Sequence, residues 1–259
     1  MGTVTISNDR RLRPTFRSIE MSNMRRIFGL FCAVIIIGVG AEARAGWYAA
    51  LDAGTVFLED SSSTASDDFG NSVSFDTAFD TGYGVHGAIG HSWGGFRLEG
   101  EVSYRENDLD TFDITNVTAA GIGSFSDVGN GDFSGDVSAL GFMANAWYDF
   151  NTGSPWKPFV GGGLGVARIS INDVSITSLT LLGVPIPLAS PVPLADDDDW
   201  VFAYQFGAGI GFEVTPTTVI SLGYRYFATA DPDFTDLAGI PFDAEYHSHN
   251  IEIGLRISF

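Results

Sequence analysis

Lysine, cysteine and long apolar runs are scarce in this 259-residue chain. The single cysteine, Cys32, lies near the N-terminus, so no disulfide is expected within the chain. The only lysine is Lys157. Of the 13 Lys and Arg residues seven fall in positions 1–45, against three of the 32 Asp and Glu. The rest therefore carries 6 basic and 29 acidic side chains, a net charge of −23. A basic footprint for nucleic acid is missing. Beyond residue 45 nothing approaches 18 consecutive apolar residues, so no membrane-spanning helix is expected there. The clusters such as Gly161-Gly162-Gly163 lack the Lys-Ser/Thr pair and the following helix of a phosphate loop.

What is present begins with a leader-like segment. Arg25 and Arg26 precede an apolar run from Ile27 to Ala41, and Ala43-Arg44-Ala45 is a small-x-small cleavage pattern. This is the layout of a secretory signal peptide over residues 24–45, with Gly46 as the first mature residue. Cys32 lacks the small residue expected before a lipid-bearing cysteine. Residues 1–23 read as an over-extended N-terminus, leaving 46–259 as the folded domain.

That domain alternates in period two. Strands are expected near 47–57, 80–91, 96–105, 136–150, 158–170, 200–214, 219–227 and 246–259. Short links (Ser92–Gly95, Asn151–Lys157, Thr215–Thr218) alternate with long ones (58–79, 106–135, 171–199, 228–245). In the third strand Phe96, Leu98, Gly100, Val102 and Tyr104 oppose Arg97, Glu99, Glu101, Ser103 and Arg105. In the sixth, Phe202, Tyr204, Phe206, Ile210 and Phe212 oppose Ala203, Gln205, Gly207, Gly209, Gly211 and Glu213. Eight strands enclose a lumen just wide enough for side chains. So many rings cannot fit inside, whereas glycines and paired charges can. The expected fold is all-β: an eight-stranded antiparallel up-and-down transmembrane β-barrel, rings to lipid and charges inward. Short turns on one rim and long loops on the other match the outer-membrane pattern, with periplasmic termini. Trp47, Tyr48, Trp93, Tyr104, Trp147, Tyr148, Trp156 and Trp200 are expected in interfacial girdles.

Several stretches resemble the opacity-like, porin-like family of small outer-membrane barrels. Trp156-Lys157-Pro158-Phe159-Val160-Gly161-Gly162-Gly163-Leu164-Gly165-Val166-Ala167 looks like the start of that family's fifth strand. Phe96–Arg105 is similar to its third, Leu222-Gly223-Tyr224-Arg225-Tyr226 to its seventh and His249–Phe259 to its last. Glu252, Gly254, Ile257 and Phe259 resemble the C-terminal signal read by the barrel assembly machinery. The resemblance implies an outer-membrane location among lipid and lipopolysaccharide. It names no activity, because function in such families lies in the loops.

Four features carry candidate chemistry. Arg97, Glu99, Glu101, Arg105, Arg168, Glu213, Arg225, Glu252 and Arg256 are expected to line the lumen, as a packed ion-pair network or, alternatively, as a narrow pore. Tyr246-His247-Ser248-His249-Asn250, beside Glu245, invites comparison with lipid-A-modifying barrel enzymes. His247 and Ser248 would however face opposite sides of a strand, and two histidines are too few for a metal site. Acidic loops (Glu59-Asp60, Asp67-Asp68, Asp196–Asp199, Asp231, Asp233, Asp236) have no EF-hand spacing and read as a solvated rim. The connection Leu179–Leu194 is unusually apolar and is expected to pack on itself. A non-enzymatic structural or surface-antigen role without cofactor follows, with a small porin or a lipid-A enzyme as rivals.

Overall fold

The computed structural model describes residues 46–66, 70–235, 241–243 and 245–259. The leader-like segment and Asp67, Asp68 and Asp236 lie outside the described residues. Eight strands form the wall: β1 Trp47–Leu58, β2 Gly82–Trp93, β3 Phe96–Ala119, β4 Gly123–Asp149, β5 Trp156–Leu181, β6 Val192–Thr215, β7 Thr218–Thr229 and β8 His247–Ser258. Each pairs antiparallel with its neighbours in sequence. β1 and β8 close the ring, from Tyr48 opposite Ser258 to Leu58 opposite Ser248. The result is an eight-stranded up-and-down barrel without a free edge along the wall.

The turns at one rim are tight for a chemical reason. Gly94 and Gly95 take φ of +56° and +93° between β2 and β3. Those are the left-handed values that a two-residue hairpin turn demands and glycine adopts without strain. At the opposite rim β3, β4, β5 and β6 run for 24 to 27 residues, well beyond the roughly 9–11 needed to cross a bilayer. The segments 106–119, 123–135, 171–181 and 192–199, expected as loops, are thus strand. They are rich in Asp, Asn and Gly, which have weak strand preference. The ladder to a neighbour holds them extended, and a hairpin of Ser61–Ser66 and Ser72–Phe79 continues that sheet beside β3.

The faces are inverted relative to a water-soluble barrel. Leu98, Phe142, Leu164, Phe206, Ile253 and many other large apolar side chains are exposed on the outside. Arg97, Glu101, Arg105, Gln205, Arg225 and Glu252 are buried in the lumen. Aromatic contacts ring the lower rim (Trp47–His91, Phe96–Tyr148, Trp156–Phe212) and the upper level (Phe142–Trp200, Tyr204–Tyr226). Two expected girdle residues point the other way: Tyr48 and Trp147 are buried inward, where their polar tips bond the lumen charges. Further up, the lumen lining turns apolar. Ala139, Ala167, Ile169, Val201, Phe227 and Tyr246 form the core there.

Candidate functional site: a polar network across the lumen

Glycines make room for the network. A Cβ on Gly163 of β5 would lie 1.9 Å from Asn145 Oδ1 and 2.7 Å from the Ala144 carbonyl. The glycine run that blurs the faces of β5 in sequence therefore brings the β4 and β5 backbones and Asn145 close together.

The central layer joins six strands. Arg225 on β7 donates from Nη1 to Glu101 Oε2 on β3 at 2.5 Å and from Nε to Glu252 on β8 at 3.1–3.2 Å. Asn145 Nδ2 and Gln205 Nε2 also donate to Glu101, at 2.9 and 3.2 Å. His86 of β2 lies between the two acids, with Nδ1 3.5 Å from Glu101 and Nε2 3.2 Å from Glu252. The latter is a close polar approach, not an aligned hydrogen bond. Arg105 closes the layer from above. It donates to Ser103 Oγ and Asn250 Oδ1 at 2.9 and 3.2 Å and stacks over Phe227, 4.0 Å from the ring centroid.

A second layer lies nearer the short-turn rim. Asp149 accepts from both Arg97 and Arg256 at 3.0 Å. Glu99 accepts from Tyr48 OH and Trp147 Nε1, each at 2.7 Å, and from Asn145 at 3.2 Å. Between the layers a cavity of about 50 Å³ remains, lined by Asp52, Glu99, Ser221, Arg225, Glu252 and Arg256 among others. That is room for little more than a few waters. Buried charges are tolerable only when paired and hydrogen-bonded, and this arrangement meets both conditions for Glu101 and Arg225. The site can hold the wall rigid and fill its bore.

Seven of the nine residues expected in the lumen are in these layers: Arg97, Glu99, Glu101, Arg105, Arg225, Glu252 and Arg256. Arg168 is not. It shares the outward face of β5 with Leu164 and Val166, its side chain is 45% exposed, and it chelates Asp198 with bonds of 2.7 and 2.6 Å. The charge is tolerable outside because Arg168 is paired in register with Trp200, at the level of the upper aromatic belt. Its hydrogen bonds hold Asp198 below the ordinary carboxylate range. Glu213 has the inward register but lies at the open rim, half-exposed, 3.6 Å from Lys157. Left out of the expected charge network were the neutral or near-turn groups His86, Asn145, Gln205, Asn250 and Asp149, although the alternation sets Gln205 on the inward face.

The other candidates separate in space. Ser248 is buried inward, whereas His247 and His249 face outward. His249 is bridged between Tyr224 OH and Glu59, each 2.6 Å away. Among the described residues no His, Cys, Asp and Glu group is arranged to hold a metal ion. Gly254 faces inward, where a Cβ would meet Asp52 Oδ1 at 2.0 Å. The Phe259 amide donates to the Trp47 carbonyl at 2.9 Å. The apolar connection does not pack on itself throughout: Leu182–Pro187 are all exposed, and only Leu194 joins the core.

The upper core is strapped down. Asp199 and Asp197 of β6 accept backbone N–H bonds from Asp233 and Thr235, at 3.1 and 2.8 Å. This seats the short strand Asp233–Thr235, with Phe234 buried beneath. Tyr246 packs edge-on against Phe227 at 5.9 Å. Burial pushes its hydroxyl up to about 12, with Arg105 and Ser248 pulling weakly the other way. No well-aligned hydrogen bond reaches that hydroxyl. A raised tyrosine stabilises the fold below the unfolded value near 10, and this contribution is lost as pH climbs to about 12. Tyr246→Phe is therefore expected to be as stable as the parent at pH 8 and to lose about 2–3 kcal/mol less between pH 10 and 12. Urea midpoints of the two proteins across that range check it.

A family model, the outer membrane protein beta-barrel domain, matches residues 30–259. The opacity protein opA65 of Neisseria gonorrhoeae is 25% identical over 190 residues, 66% of this chain and 76% of that protein. An uncharacterised protein of Brucella abortus (strain 2308) is 29% identical over 85 residues, 32% of this chain and 28% of that protein. Among solved structures, Neisserial surface protein A aligns at 20% identity and a TM-score of 0.45, covering 82% of this chain and 97% of that one. With the family model spanning the whole closed ring, the chain belongs to the outer membrane protein beta-barrel domain family, as an opacity-like barrel of the outer membrane.

Proposed function

We propose that this barrel is non-enzymatic and non-conducting: a rigid, plugged wall that carries long extensions on the cell surface, with both termini in the periplasm. The supporting observation is the filled bore. The Glu101–Arg225–Glu252 layer spans the lumen, and Phe227, Tyr246 and Phe234 pack above it. The outward aromatic belts would be solvated by lipid and lipopolysaccharide. Glu252, Gly254, Ile257 and Phe259 would be read by the barrel assembly machinery during insertion. In planar bilayers the purified protein should give no large, stable single-channel steps. Sustained conductance at neutral pH would overturn the plugged reading in favour of a small porin. Lipid A from a deletion strain should have an unchanged mass spectrum.

A further inference from the structure

The tip of the extended β5 hairpin is built against the preferences of an exposed turn. Leu181 pairs with Val184, leaving Leu182-Gly183 as a two-residue loop. Their φ values are +50° and +75°, the signature of a type I′ turn, where Asn-Gly is favoured. Leucine in the left-handed region is strained. Here it is also 78% exposed, and Val184, Pro185, Ile186 and Pro187 beside it are exposed too. Strain together with solvent-exposed apolar surface at one position is the kind of outlier from which a role is inferred. The tip is also held in place: Leu182 N–H donates to the Val128 carbonyl and Ile186 N–H to that of Leu179, both at 2.8 Å. A preordered tip loses little freedom on contact.

The barrel's own bilayer cannot cover it. Leu182 is fourteen residues past Arg168 in sequence, about 45 Å along an extended strand, and Arg168 is already at the upper aromatic belt. Charge narrows the occupant further. Asp127, Asp132, Asp173, Asp196 and Asp198 are exposed on the same extensions. Arg168, chelated by Asp198, is the one exposed Lys or Arg among the described residues at this end, Arg105 being buried in the lumen. A second copy, an anionic membrane or a polyanionic glycan would be repelled, whereas a cationic surface would be drawn in.

We propose that the Leu181–Val184 tip is a recognition element for a cationic amphipathic polypeptide. Its apolar face covers Leu182 and Val184, and its lysines or arginines meet the surrounding carboxylates. The proposal rests on the reading that the long extensions face outward from the cell. The probe is a short fluorescent Lys/Leu amphipathic peptide, titrated against the full-length barrel in zwitterionic nanodiscs with empty discs subtracted. A Glu/Leu peptide and an oligolysine of equal charge are controls. The Lys/Leu peptide should bind, and Leu182→Asn with Val184→Thr should weaken it about tenfold or more. Asparagine suits the turn, so that variant stays folded. The Glu/Leu peptide should not bind. Oligolysine binding as tightly as the Lys/Leu peptide, or unchanged binding by the variant, would reduce the tip to a bystander on an acidic surface and overturn the proposal. So would self-association that the variant abolishes, since the occupant would then be a second copy. Orientation is tested separately. The parent's only cysteine is Cys32 in the leader-like segment, so Leu182→Cys should label with an impermeant maleimide on intact cells. Conductance bears on the plugged bore alone, and peptide binding on the tip alone.

Discussion

Glu101→Ala should be among the most damaging single substitutions in the chain, costing about 3–5 kcal/mol. The carboxylate receives Arg225, Asn145 and Gln205, and His86 approaches it. Deleting it leaves a buried guanidinium with Glu252 as its remaining ion-pair partner, and takes one acceptor each from Asn145 and Gln205, which keep Glu99 and Asn145 Oδ1. The measurement is the urea concentration at which the compact, heat-modifiable band disappears from unheated SDS gels. Replacing Glu101 and Arg225 together by methionine should cost less than Glu101→Ala, because no unpaired charge remains. If Glu101→Ala shifts stability by less than about 1 kcal/mol, the network is ornamental and the bore must be held by the apolar core above it.

Ile253→Arg should destabilise by about 2–4 kcal/mol, the depth-dependent penalty for a cation on the lipid face near mid-bilayer. Ile253 is 66% exposed on the outside of β8, midway between the His249 level and Phe259. Leu182→Arg, at a site equally open but beyond the bilayer, should be close to neutral. Equal effects at both sites would sink the inside-out assignment, since in water an arginine in place of an exposed isoleucine costs little. The pair reads solvent identity directly.

Much of the wall was legible because period-two alternation is strongest where one face meets acyl chains. Phe202, Tyr204 and Phe206 against Ala203, Gln205 and Gly207 leave no other reading. The extensions were illegible for the opposite reason. Around Asp108–Asp113 and Gly123–Asp132 both faces carry polar residues, so pairing with neighbours, not composition, makes them strand. Arg168 was misplaced because Gly161–Gly163 hides the phase of β5. Only the ladder, with Met143 opposite Gly165 and Asn145 opposite Gly163, reveals that odd-numbered residues point in. The lumen arginines and glutamates declared themselves by charge. Their uncharged partners, Asn145 and Gln205, needed the register of four strands to be seen.

The change of lining partway along β5 has a last consequence. In β5 the inward positions pass from Gly161, Gly163 and Gly165 to Ala167, Ile169 and Ile171, and the outward ones from Leu164 and Val166 to Arg168 and Ser170. The changeover happens at one height on both surfaces. Such a wall carries its own waterline. Sinking it by two residues would drag the Arg168–Asp198 pair among hydrocarbon tails, and lifting it as far would strand Leu164 and Val166 in water. The draught of the protein in its bilayer is written in covalent order, and no anchoring loop is required to set it.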